Sequence, residues 1–280
     1  VVTRFVKGLD RLELVSAMVG RKFEEVFPKS INVVGECVLE AKGISTDTIL
    51  KEVNLKLHRG EIVGLAGMVG SGRTELARAL FGADKLIKGE IRILGERVDL
   101  KSPAEAITKK ISLVPEDRKQ QGLFIALPIK NNVTIPILRK ISRWFLIDRK
   151  KESQLVDFSR RQLSISMASE NMDVQFLSGG NQQKVVLAKW LHTNPEVIIM
   201  DEPTRGIDVG AKFEIYQLMR QLNEKGISIL MISSELPEIL GLSDRILVMS
   251  EGKIVAELKP EEASEEKIIN YATLSQSKVA

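Results

Sequence analysis

Residues 61–67 read EIVGLAG, an almost unbroken apolar run, and lead directly into GMVGSGRT at residues 67–74, after which residues 74–81 take up helical spacing. Few folds admit a strand that turns through closely spaced glycines into a helix. Glycine leaves backbone N–H groups uncovered, so such a loop can wrap phosphate oxygens, and the N-terminus of the next helix adds positive potential. The order strand, glycine loop, helix predicts an α/β architecture. Gly67, Met68, Val69, Gly70, Ser71, Gly72, Arg73 and Thr74 form the candidate nucleotide-binding loop, with the Thr74 hydroxyl placed for Mg2+. Where such a loop commonly carries lysine, this one has Arg73, a longer planar fork that pairs with phosphate from a different place than a compact ammonium does.

Alternation along the rest of the chain extends this frame. Residues 37–43 and 53–60 alternate apolar and polar positions like strands with one wet face, and residues 89–100 read as a hairpin of short strands. Ser102 and Pro103 open a helix, and residues 111–114 form a short apolar strand stopped by Pro115. Helical periodicity then predicts an insert over about residues 117–185. VIIMDEP at 197–203 and SILMISS at 228–234 return to strands, separated by a helix over 209–225 that closes at Gly226. Residues 244–258 form a hairpin turning at Glu251 and Gly252, and a helix is expected after Glu261. Strands alternating with helices imply a mostly parallel core sheet, here with an antiparallel β subdomain and a helical insert, spanning residues 37–275 and leaving 276–280 as a tail. Near the start, Asp10 is placed to cap a short helix stopped near Gly20, and a polar connector with Pro28 follows.

Two further motifs carry chemistry. Asp201 ends the apolar run 197–200, where an isolated carboxylate is costly unless it holds an ion, here Mg2+. Glu202 then stands as the base that polarises water. LSGGNQQ occupies residues 177–183, with Asp201 nineteen residues after Gln182. Ser178, Gly179 and Gly180 precede a helix expected near Asn181, so their N–H groups and the serine hydroxyl can face an anion.

Composition narrows the partners. The 41 basic and 37 acidic residues are interspersed, with net charge +4 and no basic block arguing for nucleic acid. No apolar run approaches the roughly 20 residues that cross a bilayer. Cys37, the single cysteine, reads as a small buried core residue. His58 and His192 lack the spacing of a zinc site and read as structural.

LSGGNQQ followed by DEPT at this spacing resembles the nucleotide-binding subunit of an ATP-binding cassette (ABC) transporter, a P-loop NTPase fold. PEDRKQQGL at 115–123, DEPTRGIDVGAK at 201–212 and SSELPEILGLSDR at 233–245 are similar to the second cassette of bacterial monosaccharide importers, and MVGR at 18–21 looks like the end of a first cassette and its linker. The resemblance implies ATP and Mg2+ as cofactors. It implies two cassettes stacked head to tail, each ATP lying between one glycine loop and the other's LSGG motif, to which Gln182 belongs. The implied partners are a first cassette of the same polypeptide or a second copy, membrane-spanning permease subunits and, indirectly, a periplasmic sugar-binding protein, at the cytoplasmic face of the membrane. Glu116 matches the residue that senses Mg2+ and attacking water, and Ser234 the histidine that usually contacts the γ-phosphate. Asp208 matches the segment that crosses between cassettes, and equally reads as a helix cap. With Arg73 and Ser234 both altered, the resemblance implies a slow site that holds ATP as glue and completes its partner's site with LSGG. A soluble cassette ATPase acting on DNA or ribosomes and a regulatory nucleotide sensor are the alternatives. The basic, aromatic stretch 134–151, with Trp144 and Phe145 beside Arg139, Lys140 and Arg143, invites a membrane-surface reading; the preferred expectation is that its apolar side packs within the insert and its outer face meets the membrane-spanning partner.

Overall fold

The computed structural model describes Phe27, residues 35–144 and residues 146–273. The helix expected near Asp10, residues 18–21, Pro28, Phe145 and the tail lie outside the described residues.

Three strands are apolar at nearly every position: β3 (Ile62–Gly67), β9 (Val197–Asp201) and β10 (Ser228–Ile232). Strands buried on both faces have no reason to alternate, and these three lie side by side in a parallel sheet. Its order is β12-β11-β3-β10-β9-β6, where β6 is Ile111–Val114, β11 is Arg245–Ser250 and β12 (Lys253–Leu258) runs antiparallel to β11. Register sets Ile232 opposite Asp201 and also opposite Leu65, so the loops leaving β3, β9 and β10 open at one edge. Ligands in open α/β sheets bind at this carboxyl edge.

The alternating segments form the second sheet. β1 (Cys37–Ser45), β2 (Val53–His58), β4 (Lys88–Ile93) and β5 (Glu96–Val98) pair antiparallel in the order β2-β1-β4-β5. β2 buries every second residue, as a sheet with one wet face must. Cys37 is half-buried at the strand's start, its Sγ 3.5 Å from Leu39 O, rather than deep in the core.

Helix α1 (Arg73–Leu80) follows the glycine loop, and α2 (Pro103–Thr108) is capped by Ser102, whose side chain accepts from Glu105 N. The helical insert starts with one π turn, Arg118–Gly122, and contains α3 (Ile129–Thr134), α4 (Leu138–Ile141) and α5 (Arg149–Gln162). Between α4 and α5 the stretch expected to pack its apolar side within the insert breaks into the two-residue strands β7 (Ser142–Arg143) and β8 (Leu146–Ile147). Trp144 turns that corner at φ 50° and is 85% exposed, so its ring does not pack within the insert. The main sheet continues with α6 (Gly179–Leu191), α7 (Val209–Glu224), α8 (Leu236–Leu242) and α9 (Glu265–Thr273). No helix among the described residues is long and apolar enough to cross a membrane.

Two apolar cores flank the parallel sheet. One lies between it and the insert, with Val186, Met200 and Met231, and the other between it, α1 and the antiparallel sheet, with Leu65, Leu76 and Ile91. Arg245 ties the sheets together, bonding Glu61 at 2.7 and 3.1 Å and Lys56 O at 2.6 Å.

Candidate functional site

The glycine loop owes its shape to the segments around it. Gly70 and Gly72 stand at φ 79° and 103°, where a side chain is disfavoured. At Gly67 a Cβ would lie 2.5 Å from Met249 O and 2.6 Å from Ser71 Oγ, so the strand's last residue has no room for one. Gly252, at the tip of the β11–β12 hairpin, donates to Ser71 O at 2.9 Å and accepts from Lys51 N at 2.9 Å. A Cβ there would sit 1.8 Å from Ile49 O. The hairpin tip is thus wedged between the antiparallel sheet and the loop. Val69 is 95% exposed and Met68 half so, which leaves the loop's backbone to form the concavity.

Arg73 turns across the site. Its Nη1 donates to Ser233 O at 2.9 Å and lies 3.9 Å from Glu202 Oε1, with both side chains almost fully covered. The guanidinium thereby bridges the glycine loop to the loop after β10. Ser234 Oγ donates to Glu202 Oε2 at 3.0 Å, so Arg73, Glu202 and Ser234 meet, as the carboxyl-edge geometry requires. Glu202 itself stands at φ 47°, a left-handed conformation that costs energy in a residue with a side chain. Its N–H donates to Ile232 O at 2.9 Å.

Asp201 is 2% exposed. Burial pushes its carboxyl up to about 6, opposed by a hydrogen bond from the Thr74 side chain and reinforced by neighbouring Glu202. Its Oδ1 is buried without a hydrogen-bond partner among the described residues. A buried carboxylate with one orphan oxygen beside a threonine hydroxyl is a set of hard oxygen donors, which fits Mg2+. Glu116, expected to share that ion, is ion-paired with Arg205.

The helix after LSGG starts two residues earlier than the sequence suggests, at Gly179, because Ser178 is its N-cap. Ser178 Oγ accepts from Asn181 N at 3.4 Å and Asn181 Nδ2 at 2.9 Å, which fixes a hydroxyl that is otherwise exposed. Gly180 packs against α7, where a Cβ would come within 2.5 Å of Ala211 Cβ. Gln182 is 4% exposed and points inward, to Val174 O at 3.3 Å and Arg118 Nε at 3.4 Å, not toward solvent. Asp208 caps α7, its Oδ1 accepting from Ala211 N at 2.9 Å. None of these contacts reaches the glycine loop of the same chain.

Some side chains around the site drew no attention in the sequence. Arg118 donates to Arg205 O at 2.7 Å and Gly206 O at 3.0 Å, binding the π turn to the loop before Asp208. Glu238 is buried and accepts from Thr204, Tyr216 and Ser233. Burial, followed by the Glu238 carboxylate, pushes the Tyr216 hydroxyl far above its ordinary range. The available signal was a charged residue at a position of α8 that shares a face with Ile239 and Leu242. Both histidines make structural contacts, His58 with Glu61 at 3.1 Å and His192 with Ser159 at 2.7 Å.

A family model described as "ABC transporter" matches residues 50–205. A ribose import ATP-binding protein of Bacillus subtilis (strain 168) is 47% identical over 271 residues, covering 97% of this chain and 55% of the relative. One from Lactococcus lactis subsp. cremoris (strain SK11) matches at the same identity and coverage. The chain thus spans about half the length of the curated relatives it matches. Among solved structures, a nucleotide-free ATP-binding cassette from an ABC transporter superposes with TM-score 0.71 at 24% identity, covering 87% of this chain and 97% of that one. A dimeric, post-hydrolysis ATP-binding cassette bound to ADP and Pi superposes with TM-score 0.68 at 26% identity, covering 79% and 98%. Loop, buried aspartate, serine-capped helix and family match agree: the chain belongs to the ABC transporter family.

Proposed function

We propose that this chain is the second ATP-binding cassette of a monosaccharide importer, holding Mg-ATP in an altered site and lending its Ser178 corner to a first cassette. The observation that carries the reading is Arg73, whose guanidinium lies against Ser233 O and Glu202 rather than along the glycine loop. Backbone N–H groups of residues 67–72 would wrap the phosphates, and Thr74 and Asp201 would hold Mg2+. The ion, when bound, offsets phosphate charge. Glu202 accepts a proton from the attacking water, and Ser234 fixes which way its carboxylate faces. Arg73 competes for that carboxylate, and Ser234 offers a neutral hydroxyl where a cation would help most. Each such change weakens preorganised electrostatics, at a cost on the order of 100-fold in turnover. Ser178 is exposed and Gly179 half so, which leaves this corner free to meet a nucleotide held by the other cassette. Relatives named for ribose import support a monosaccharide cargo, and the altered loop supports assignment to the second cassette. Membrane-spanning permease subunits, with a periplasmic binding protein beyond them, are the partners of this reading, at the cytoplasmic face of the membrane.

The test is reconstitution. The chain should bind Mg-ATP and release phosphate slowly, and release should vanish in Glu202→Gln. Adding an intact first cassette should raise hydrolysis at least 10-fold over the sum of the parts, an increase lost in Ser178→Ala. Hydrolysis by the chain alone that survives Glu202→Gln, or a stimulation indifferent to Ser178, would overturn the proposal.

A further inference from the structure

Glu202 is held in a strained backbone conformation, and a strained residue persists only where its surroundings over-determine it. On the amide side the restraint is its bond to Ile232 O, and the next turn closes with Arg205 N donating to Glu202 O at 3.1 Å. Neither bond fixes the carboxylate. That is done by Ser234 Oγ, at 3.0 Å on a different loop, with Arg73 Nη1, itself bonded to Ser233 O of that loop, 3.9 Å from the other oxygen. The orientation of Glu202 therefore depends on how far the loop after β9 stands from the loop after β10.

One buried side chain sets that spacing. Glu238, 1% exposed in the first turn of α8, accepts Thr204 Oγ1 at 2.5 Å and Tyr216 Oη at 2.6 Å on Oε1, and Ser233 Oγ at 2.7 Å on Oε2. Thr204 lies two residues after Glu202, and Ser233 one residue before Ser234. Lys212 Nζ stands 3.6 Å from Oε1, and Ser233 Oγ accepts from Glu235 N at 3.0 Å. A carboxylate in this setting is strongly bound by its donors because water cannot compete. Tyr216 and Lys212 both belong to α7, whose cap is Asp208, so the same carboxylate also joins the start of that helix to the two loops.

We propose that Glu238 is a positioning residue for hydrolysis: by gripping Thr204 and Ser233 together it holds Glu202 and Ser234 in register. The inference rests on the reading that Glu202 accepts the proton of the attacking water. Glu238→Gln keeps the shape but replaces one acceptor oxygen with an amide that cannot accept a hydroxyl proton. Tyr216→Phe is milder: it removes one of the donors that fix where Oε1 stands, and so loosens the grip on both loops without abolishing it.

The experiment measures Mg-ATP affinity, single-turnover phosphate release and the thermal midpoint of the full 280-residue chain and its variants. Glu238→Gln should slow release by about 10- to 100-fold, the scale of a misplacement near 1 Å, while Kd changes less than about 2-fold. Tyr216→Phe should show the same split, smaller, and decides the matter if Glu238→Gln does not fold. In a Ser234→Ala background the effect of Glu238→Gln should shrink, because the two act through one contact. A lower thermal midpoint with wild-type turnover, or an undiminished effect in Ser234→Ala, overturns the inference. A wild-type chain that releases phosphate while both variants match it does so as well. A wild-type chain that binds Mg-ATP without any release overturns the hydrolytic reading and this inference together.

Discussion

At Arg73 a guanidinium holds ground that an ammonium could not, since its fork reaches Ser233 O while lying near Glu202. Arg73→Lys should free Glu202 and return a compact charge to the loop, raising single-turnover phosphate release about 10-fold, with the Ser234 deficit remaining. Release at or below the wild-type rate would show that Arg73 is not what slows the site. Arg73 drew attention in the sequence because a phosphate loop commonly carries lysine there, and Ser234 because the resemblance implies a histidine; the structure brings both beside Glu202. Glu238 carried only a weak local signal, because two of its three hydroxyl partners lie 34 and 22 residues upstream and nothing local to SSELPEIL shows that they converge with Ser233. Gln182 misled for the converse reason: its motif points to nucleotide, whereas its side chain turns inward to Val174 and Arg118.

The start of α6 is set by close approach. Glycine inside a helix normally weakens it by about 1 kcal/mol relative to alanine, so Gly180→Ala in an open helix would stabilise. Here the added methyl meets Ala211, and Gly180→Ala should instead cost about 1–3 kcal/mol by chemical denaturation, with Ala211→Gly recovering part of it. At the other end of α6, His192 joins the insert to the core through Ser159. Burial chiefly holds its imidazole below the ordinary range, opposed by a bond to the Leu155 backbone. The folded state thus binds a proton less readily than the unfolded chain. This contribution is complete above the unfolded pKa of 6.5 and is lost as pH falls below it. Thermal midpoints from pH 7.5 to 5.5 should fall further in the wild type than in His192→Gln, and parallel profiles would refute this. Periodicity located most helices, since one buried stripe suffices to mark them. It overran at residues 134–151, where Pro136 opens a 3-10 turn and Trp144 turns a corner, because apolar spacing does not register a chain reversal.

For the whole molecule, a mostly parallel sheet beside an antiparallel one was legible from strands that are uniformly apolar or alternating. Strand order was not, because β3 pairs with β10 and β11, far along the chain, and only packing decides between such neighbours. The join between sheets was equally hidden. Arg245→Met leaves Glu61, 3% exposed, without its main partner and should cost about 3–5 kcal/mol, most of it recovered in Arg245→Met with Glu61→Leu. An additive loss in the double variant, measured by denaturant unfolding, would place the stability elsewhere. The wedge at Gly252 has a consequence for synthesis. Its amide bonds Ser71 and its carbonyl receives Lys51, so the phosphate cradle is shaped by a residue made some 180 positions after it. A ribosome must finish the last hairpin before the nascent polypeptide owns a rigid cradle, and truncated products ending short of residue 252 should compete poorly for cellular ATP.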